Sequence, residues 1–527
     1  MKKLIFAVLL ISQTILAQFN PISYKLNNNL SKIYDDIPVS TSIHDIIAND
    51  NLIILGTSEG LSISEDNGES WNNYYQKEPF GTDRIISIGY YNGIIWSTTG
   101  RTTEVEGGHF LPEGTGIKYS TNNGETWTAI PQPVDDVGDS LITYGINTIR
   151  ALPILTGINN ISYDISFTKN TIWIASFAGG LRKSSDMGQT WQRVVLPPDT
   201  LDLISPYDTL NFSLQPVSES FGPESWLNHR VFSVLGVDDS TLYVGTAGGI
   251  NKSTDNGISW TKFTHQNQTN PISGNFVVAL AEDSSDNSIW AATWKAEDQD
   301  ENWAVSSSND GGENWVITLQ NKHAHNFGFK YLSNSKSHVI APTDNGIFRS
   351  DDGVTWVEPT EITDSSTNVS IETNIFYSAA SNQLSATNYY IWVGSNDGLA
   401  RLSETDGFWE GSWKIYLLPN DVNREISEIP DQFELSQNYP NPFNPATTIK
   451  YSIPSTQTPL LRGAGGVLVT LKVYDILGRE VATLVNKEQK PGRYEVTFDS
   501  SDHSSGIYIY TIIAGKYIDG KKMLLLK

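Results

Sequence analysis

The chain has 527 residues, 39% hydrophobic and 11% aromatic with 15 Trp, enough to bury more than one core. Asp and Glu outnumber Lys and Arg by 59 to 35, a formal net charge of -24. That balance excludes a nucleic-acid surface and a polybasic patch on anionic lipid, since both need clustered cations.

The first residues, MKKLIFAVLLISQTILAQ, place two lysines before an apolar run that ends at the small residue Ala17. The pattern predicts a secretory signal peptide over 1–17, followed by an N-terminal segment over 18–42. The run is shorter than the roughly 20 residues that span a bilayer, and no later segment is as apolar, so no transmembrane span is expected in the mature chain. Cysteine is absent, so a secreted chain must take its stability from packing and repetition rather than disulfides.

From residue 43 one unit recurs. Ser64, Asp66, Gly68 and Trp71 define a box, S-x-D-x-G-x-x-W. It returns with Asn122, Gly124 and Trp127, then Asp186, Gly188 and Trp191. Asp255, Gly257 and Trp260 carry it again, as do Asp310, Gly312 and Trp315. Asp352, Gly353 and Trp356 form a copy one residue short, and Trp413 ends a degenerate seventh. The tryptophans fall 41 to 69 residues apart, a repeat period. Each box follows an apolar run, a Gly turn and a second run, as in TLYVGTAGGINKS, and another strand-like run stands upstream. Four antiparallel strands per unit, seven times over, predict an all-β, seven-bladed β-propeller over 43–418. The box is then the turn between third and fourth strands. Its Asp holds the turn, its Gly supplies positive φ, and its Trp wedges between sheets.

The box resembles the Asp-box, or BNR, repeat of sialidases, sortilin-type receptors and xyloglucanases. The resemblance implies a scaffold role for these aspartates, because catalysis needs one constellation rather than one copy per blade. Four long insertions, 98–116, 131–160, 195–229 and 294–303, are expected on the end opposite the boxes, where ligands would bind. Just before the first strand of each unit stand His44, Arg84, Arg230, Asn275, Asn326 and Asn374, with Tyr163 or Asp164 in the third. They are expected to line a funnel, joined by Glu104, His109, Trp226 and Trp294 from the loops; Trp303 adds another flat ring. Arginine forks suit carboxylates, amides suit hydroxyls, and flat rings suit sugars.

No H-E-x-x-H, G-x-S-x-G, P-loop or Cys/His metal spacing occurs, so no cofactor and no metal site is expected. His323 and His325 share one strand face without a third ligand. Sialidases carry three arginines and a Tyr–Glu pair; Arg84, Arg150 and Arg230 are present, but the F-R-I-P stretch and the pair are not found. Hydrolysis of the xyloglucanase kind needs two opposed carboxylates, for which Glu104, Glu106, Asp164, Glu224 and Glu297 are candidates. The reading is therefore a binding or recognition scaffold for a glycan or surface protein; the alternative is a glycoside hydrolase of sialidase or xyloglucanase type.

After Leu418 a polar, strand-poor linker covers 419–432. Residues 433–527 then alternate as a small Ig-like β-sandwich. QNYPNPFNPATTIKYSIP, VYDILGREVATL with Gly478, SSGIYIYTI with Gly506, and the terminal Lys521 and Lys522 resemble a type A sorting domain of the type IX secretion system. That resemblance implies export through the periplasm to the outer-membrane surface or beyond, with the secretion machinery as partner.

Overall fold

The computed structural model describes residues 22–25, 37–105, 109–216, 226–296, 300–332, 336–385, 387–404, 407–417, 434–453, 467–476, 479–489, 492–501, 503–514 and 517–526. The signal peptide over 1–17, the linker over 419–432, Glu106, Glu224, Glu297 and Gly478 lie outside them, as does the side chain of His109. Every element among the described residues is a strand, and no helix is long and apolar enough to cross a membrane. The chain divides into two compact units, Met1–Leu418 and Pro419–Lys527.

In the first unit, seven antiparallel meanders follow one another among the described residues. Their first strands are Ile43–Asn49, Arg84–Tyr91, Ser162–Thr168, Val231–Gly236, Phe276–Asp283, Gly328–Tyr331 and Phe376–Gln383. Second strands such as Leu52–Thr57 are buried throughout, because both faces are covered by neighbouring sheets. Each successive pair of meanders shares one buried apolar cluster. A further cluster joins Trp392, Leu399 and Tyr416 of the last meander to Ile43, Ile53, Leu55 and Trp71 of the first. No strand is exchanged between these two sheets among the described residues.

The box sits where the third strand ends, and its bonds are local. Ser64 Oγ donates to Asp66 Oδ1 and accepts from Gly68 N–H, at 2.8 and 2.7 Å. Ser70 N–H and Oγ then donate to the two carboxylate oxygens. The knot repeats at Asp186, Asp255 and Asp310, and with the amide of Asn122. Gly68 has φ +81°, and a Cβ there would come within 2.6 Å of Trp392, so both conformation and space require glycine. The box tryptophans pack on the preceding sheet: Trp127 against Tyr74 at 5.4 Å, Trp71 edge-on to Trp392 at 6.4 Å.

Two expectations need correction. The sixth meander has three strands, Gly328–Tyr331, Ser337–Thr343 and Gly346–Ser350; its shortened box is followed by a single bridge, Arg349 to Val357. The insertions do not all stay on the end opposite the boxes. Segment 131–160 folds into the hairpin Leu141–Tyr144 and Asn147–Ala151, whose Tyr144 hydroxyl donates to Ile258 O inside a box turn at 2.7 Å. Leu203–Ile204, from 195–229, pairs with Trp260–Phe263 at the edge of the fourth sheet. Both carry apolar residues that complete the core between the third and fourth sheets, and this draws them along the sheets instead of into solvent. The 98–116 insertion is the extension of one hairpin, Ile94–Val105 with His109–Ser120.

The second unit holds two antiparallel sheets, one of three strands and one of four, around a shared core that includes Ile449, Val469, Leu471, Val473, Phe498 and Tyr510. Gly506 begins the strand Gly506–Ala514, and Lys521 and Lys522 lie on its partner Tyr517–Leu525.

Candidate functional site

The first strands begin at the end of the sheets away from the box turns, and six of them carry a β-bulge at the second or third residue. The registers slip at His44, Ile86, Tyr163, Phe232, Val278 and Tyr377. Ala324 pairs with Thr343 but Gly328 with Ile340, which puts the same slip at or near His325 just before the sixth first strand. A bulge opposes two residues to one, re-aims a side chain and takes an N–H out of the ladder. Repeated from sheet to sheet, it sets the residues at these strand starts in levels.

The bulge level is rich in rings. Tyr163, Phe232, Phe276, Trp294, His325, Tyr377 and His44 follow one another with centroids 4.6 to 5.8 Å apart. His44 lies parallel to Tyr377, at 5.1 Å and 7°. His323 Nδ1 and His325 Nε2 both face Asp344, at 2.9 and 2.5 Å. Between the ends of this arc, His44 and Tyr163, stands Arg84, whose charge acts on both. Burial, helped by Arg84 and His325, lowers the His44 pKa to about 4, so the ring is neutral at pH 7.

One residue deeper lie Asp45, Ser87, Asp164, Ser233, Asn326 and Ser378. Asp45 accepts from Ile46 N–H and, on its other oxygen, from Ile88 N–H of the next sheet, both at 3.0 Å. Asp164 accepts from Ile165 N–H at 2.8 Å and Val234 N–H at 2.9 Å. These are the N–H groups just past the bulges, so each aspartate staples two first strands together. Burial raises their pKa values to about 6 for Asp45 and about 7 for Asp164, against the bonds they accept.

The residues named from sequence divide among levels. His44 is a bulge residue and Asn326 lies one past it, donating to Asp45 Oδ1 at 3.3 Å. Arg84 and Arg230 stand two residues before their bulges, Asn275 and Asn374 three before. They are therefore not one ring; reading just before each apolar run cannot register a bulge. Asn275 is held by Gln266, Glu301 and His265 N–H. Arg230 donates to Pro216 O and covers the rings of Phe177 and Trp226. Trp294 joins the arc and donates Nε1–H to Ala324 O. Asn374 and Glu104 are exposed, and Glu104 lies on the extended hairpin. Phe232, Phe276 and Tyr377 were missed. For Phe232 and Tyr377 the signal is a triplet at the strand starts, I-H-D, S-Y-D, V-F-S and F-Y-S, in which a ring precedes Asp or Ser; Phe276, in N-F-V, carries no such mark.

A groove of about 780 Å³ lies elsewhere, beside the boxes of the fifth and sixth sheets, where the shortened box leaves space. Its Asp283 and Asp352 are engaged by Ser285 N–H and by Thr355 and Val354 N–H. Among the described residues, no group of three or more His, Asp, Glu or Cys is placed to hold a metal ion.

Residues 437–526 match the family described as secretion system C-terminal sorting domain. The chain thus carries a sorting domain that marks it for type IX secretion, to the cell surface or outside. No curated protein matches the chain. Among solved structures it is similar to an ancestral GH74 enzyme, at 15% identity over 92% of this chain with TM-score 0.48. It is similar to YCF48 from Cyanidioschyzon merolae, at 13% over 69% of this chain and 96% of that one, with TM-score 0.40. PorZ, a surface component of the type-IX secretion system of Porphyromonas gingivalis, is 14% identical over 92% of this chain, with TM-score 0.32. The chain covers 62% of the GH74 enzyme and 65% of PorZ.

Proposed function

We propose that the N-terminal unit is a seven-bladed Asp-box β-propeller and that its funnel is the ligand site of a secreted recognition protein. The domain boundaries follow the sequence reading: signal peptide, propeller over 43–418, linker, sorting domain. The observation that carries the reading is the arc of rings from Tyr163 to His44, since flat apolar faces beside polar groups suit a glycan. A glycoside hydrolase is the second reading, favoured by the raised carboxyl groups of Asp45 and Asp164. Against it, both oxygens of each already accept backbone N–H groups, which fits a staple better than a proton donor. The test is a glycan array probed with residues 18–527, with hydrolysis of any bound glycan followed in parallel. Binding without turnover supports the scaffold; turnover abolished by Asp45→Asn or Asp164→Asn would transfer the reading to the hydrolase.

A further inference from the structure

Arg84 stands out in a chain with 59 acidic residues. Five other arginines of the N-terminal unit have carboxylates: Arg101 has Glu113, Arg182 and Arg193 have Asp135, Arg349 has Glu404 and Arg401 has Glu69, while Arg230 donates to Pro216 O. The Arg84 guanidinium makes no hydrogen bond and no ion pair among the described residues, and its Nε is buried without a partner. A buried donor left unpaired costs about 1–3 kcal/mol, so a bound acceptor would recover stability there. The unpaired atom also has a geometric meaning. Nε and one Nη form the side-on fork that meets the two oxygens of a carboxylate. Arg84 opens the first strand of the second meander, between the meanders that carry His44 and Tyr163, and its charge acts on both rings.

We infer that the funnel takes a carboxylate-bearing sugar, a uronic acid residue of a polysaccharide, with its carboxylate on Arg84 and its ring faces against the arc. This rests on the funnel being the ligand site.

The experiment is calorimetric titration of residues 18–527 with oligosaccharides containing galacturonate, glucuronate or mannuronate, each beside its carboxyl-reduced form. The expected result is at least a tenfold preference for one acidic form over its reduced partner. Arg84→Gln should abolish that preference, so that acidic and reduced forms bind alike, while Arg84→Lys restores only part of it for want of the fork. Because Arg84 has no partner to orphan and its buried Nε is unpaired, neither variant should melt below the wild type. Equal affinity for acidic and reduced forms, no binding of any acidic form, or a preference that survives Arg84→Gln overturns the inference. Tyr377→Ala separates the two levels of the argument. It should weaken acidic and reduced forms alike, and an acid preference with no effect of Tyr377→Ala would instead overturn the funnel as the site.

Discussion

Aspartate does two opposite things in this molecule. In the box turns it ionises readily. Burial opposes the charge at Asp66, Asp186 and Asp255, but bonds from the same turn outweigh it and lower their pKa values. At Asp310 the bonds from Asn314 bring it to about 2. At the starts of the first strands burial wins, and Asp45 and Asp164 rise to about 6 and about 7. The signs follow by linkage. Box aspartates stabilise above the unfolded pKa near 3.8, and that contribution fades as pH falls from about 4 toward 2. Asp45 and Asp164 hold their protons more tightly when folded, so their contribution is full below about pH 4 and is lost as pH rises through 6 to 7. Chemical denaturation at about pH 4.5 and 8 should therefore show the double variant Asp45→Asn/Asp164→Asn gaining on wild type at the higher pH. An unchanged difference between the two pH values contradicts this. Asp255→Ala should cost about 1–3 kcal/mol at pH 7, because Ile258 and Ser259 N–H lose their acceptor.

At the scale of elements, the sixth meander replaces regular structure with charge. Glu404 takes Lys330 at 2.6 Å and Arg349 at 2.9 Å, all three side chains fully buried, and accepts from Trp409 N–H. Glu404→Gln keeps the shape but removes the carboxylate charge that Lys330 and Arg349 share. It should cost about 3–5 kcal/mol, more than a surface pair such as Lys450–Glu495 ever returns. A loss under about 1 kcal/mol in urea denaturation would mean the cations find water. The boxes were legible in the sequence because Ser, Asp, Gly and Trp act within eight residues and announce third strand, turn and fourth strand together. The funnel was legible only in part. His44, Arg84 and Trp294 drew notice as polar or flat, whereas Phe232, Phe276 and Tyr377 looked like ordinary strand residues. A bulge is a property of pairing between strands, so no single strand declares it. The crossovers misled for a similar reason: Tyr144, Ile149 and Phe212 are core residues packed between the third and fourth sheets, a role set by contacts outside their own segments.

At the scale of the molecule, repetition supplies what disulfides do in other secreted chains. Every neighbouring pair of sheets shares an apolar cluster, and the last packs on the first through Trp392 and Trp71. The sorting domain gives the account a cellular consequence. Deleting residues 419–527 should trap the protein inside the outer membrane, detected by fractionating cells that otherwise export it; unchanged export would contradict a sorting role for residues 437–526. The central claim is that ligand enters at the bulge end rather than at the box end. The most direct measurement compares glycan binding by wild type, Trp294→Ala in the arc, and Tyr91→Ala, which lines a groove beside a box turn. The account predicts that Trp294→Ala loses at least tenfold in affinity while Tyr91→Ala binds as wild type does. Retained binding by Trp294→Ala together with loss by Tyr91→Ala would contradict it.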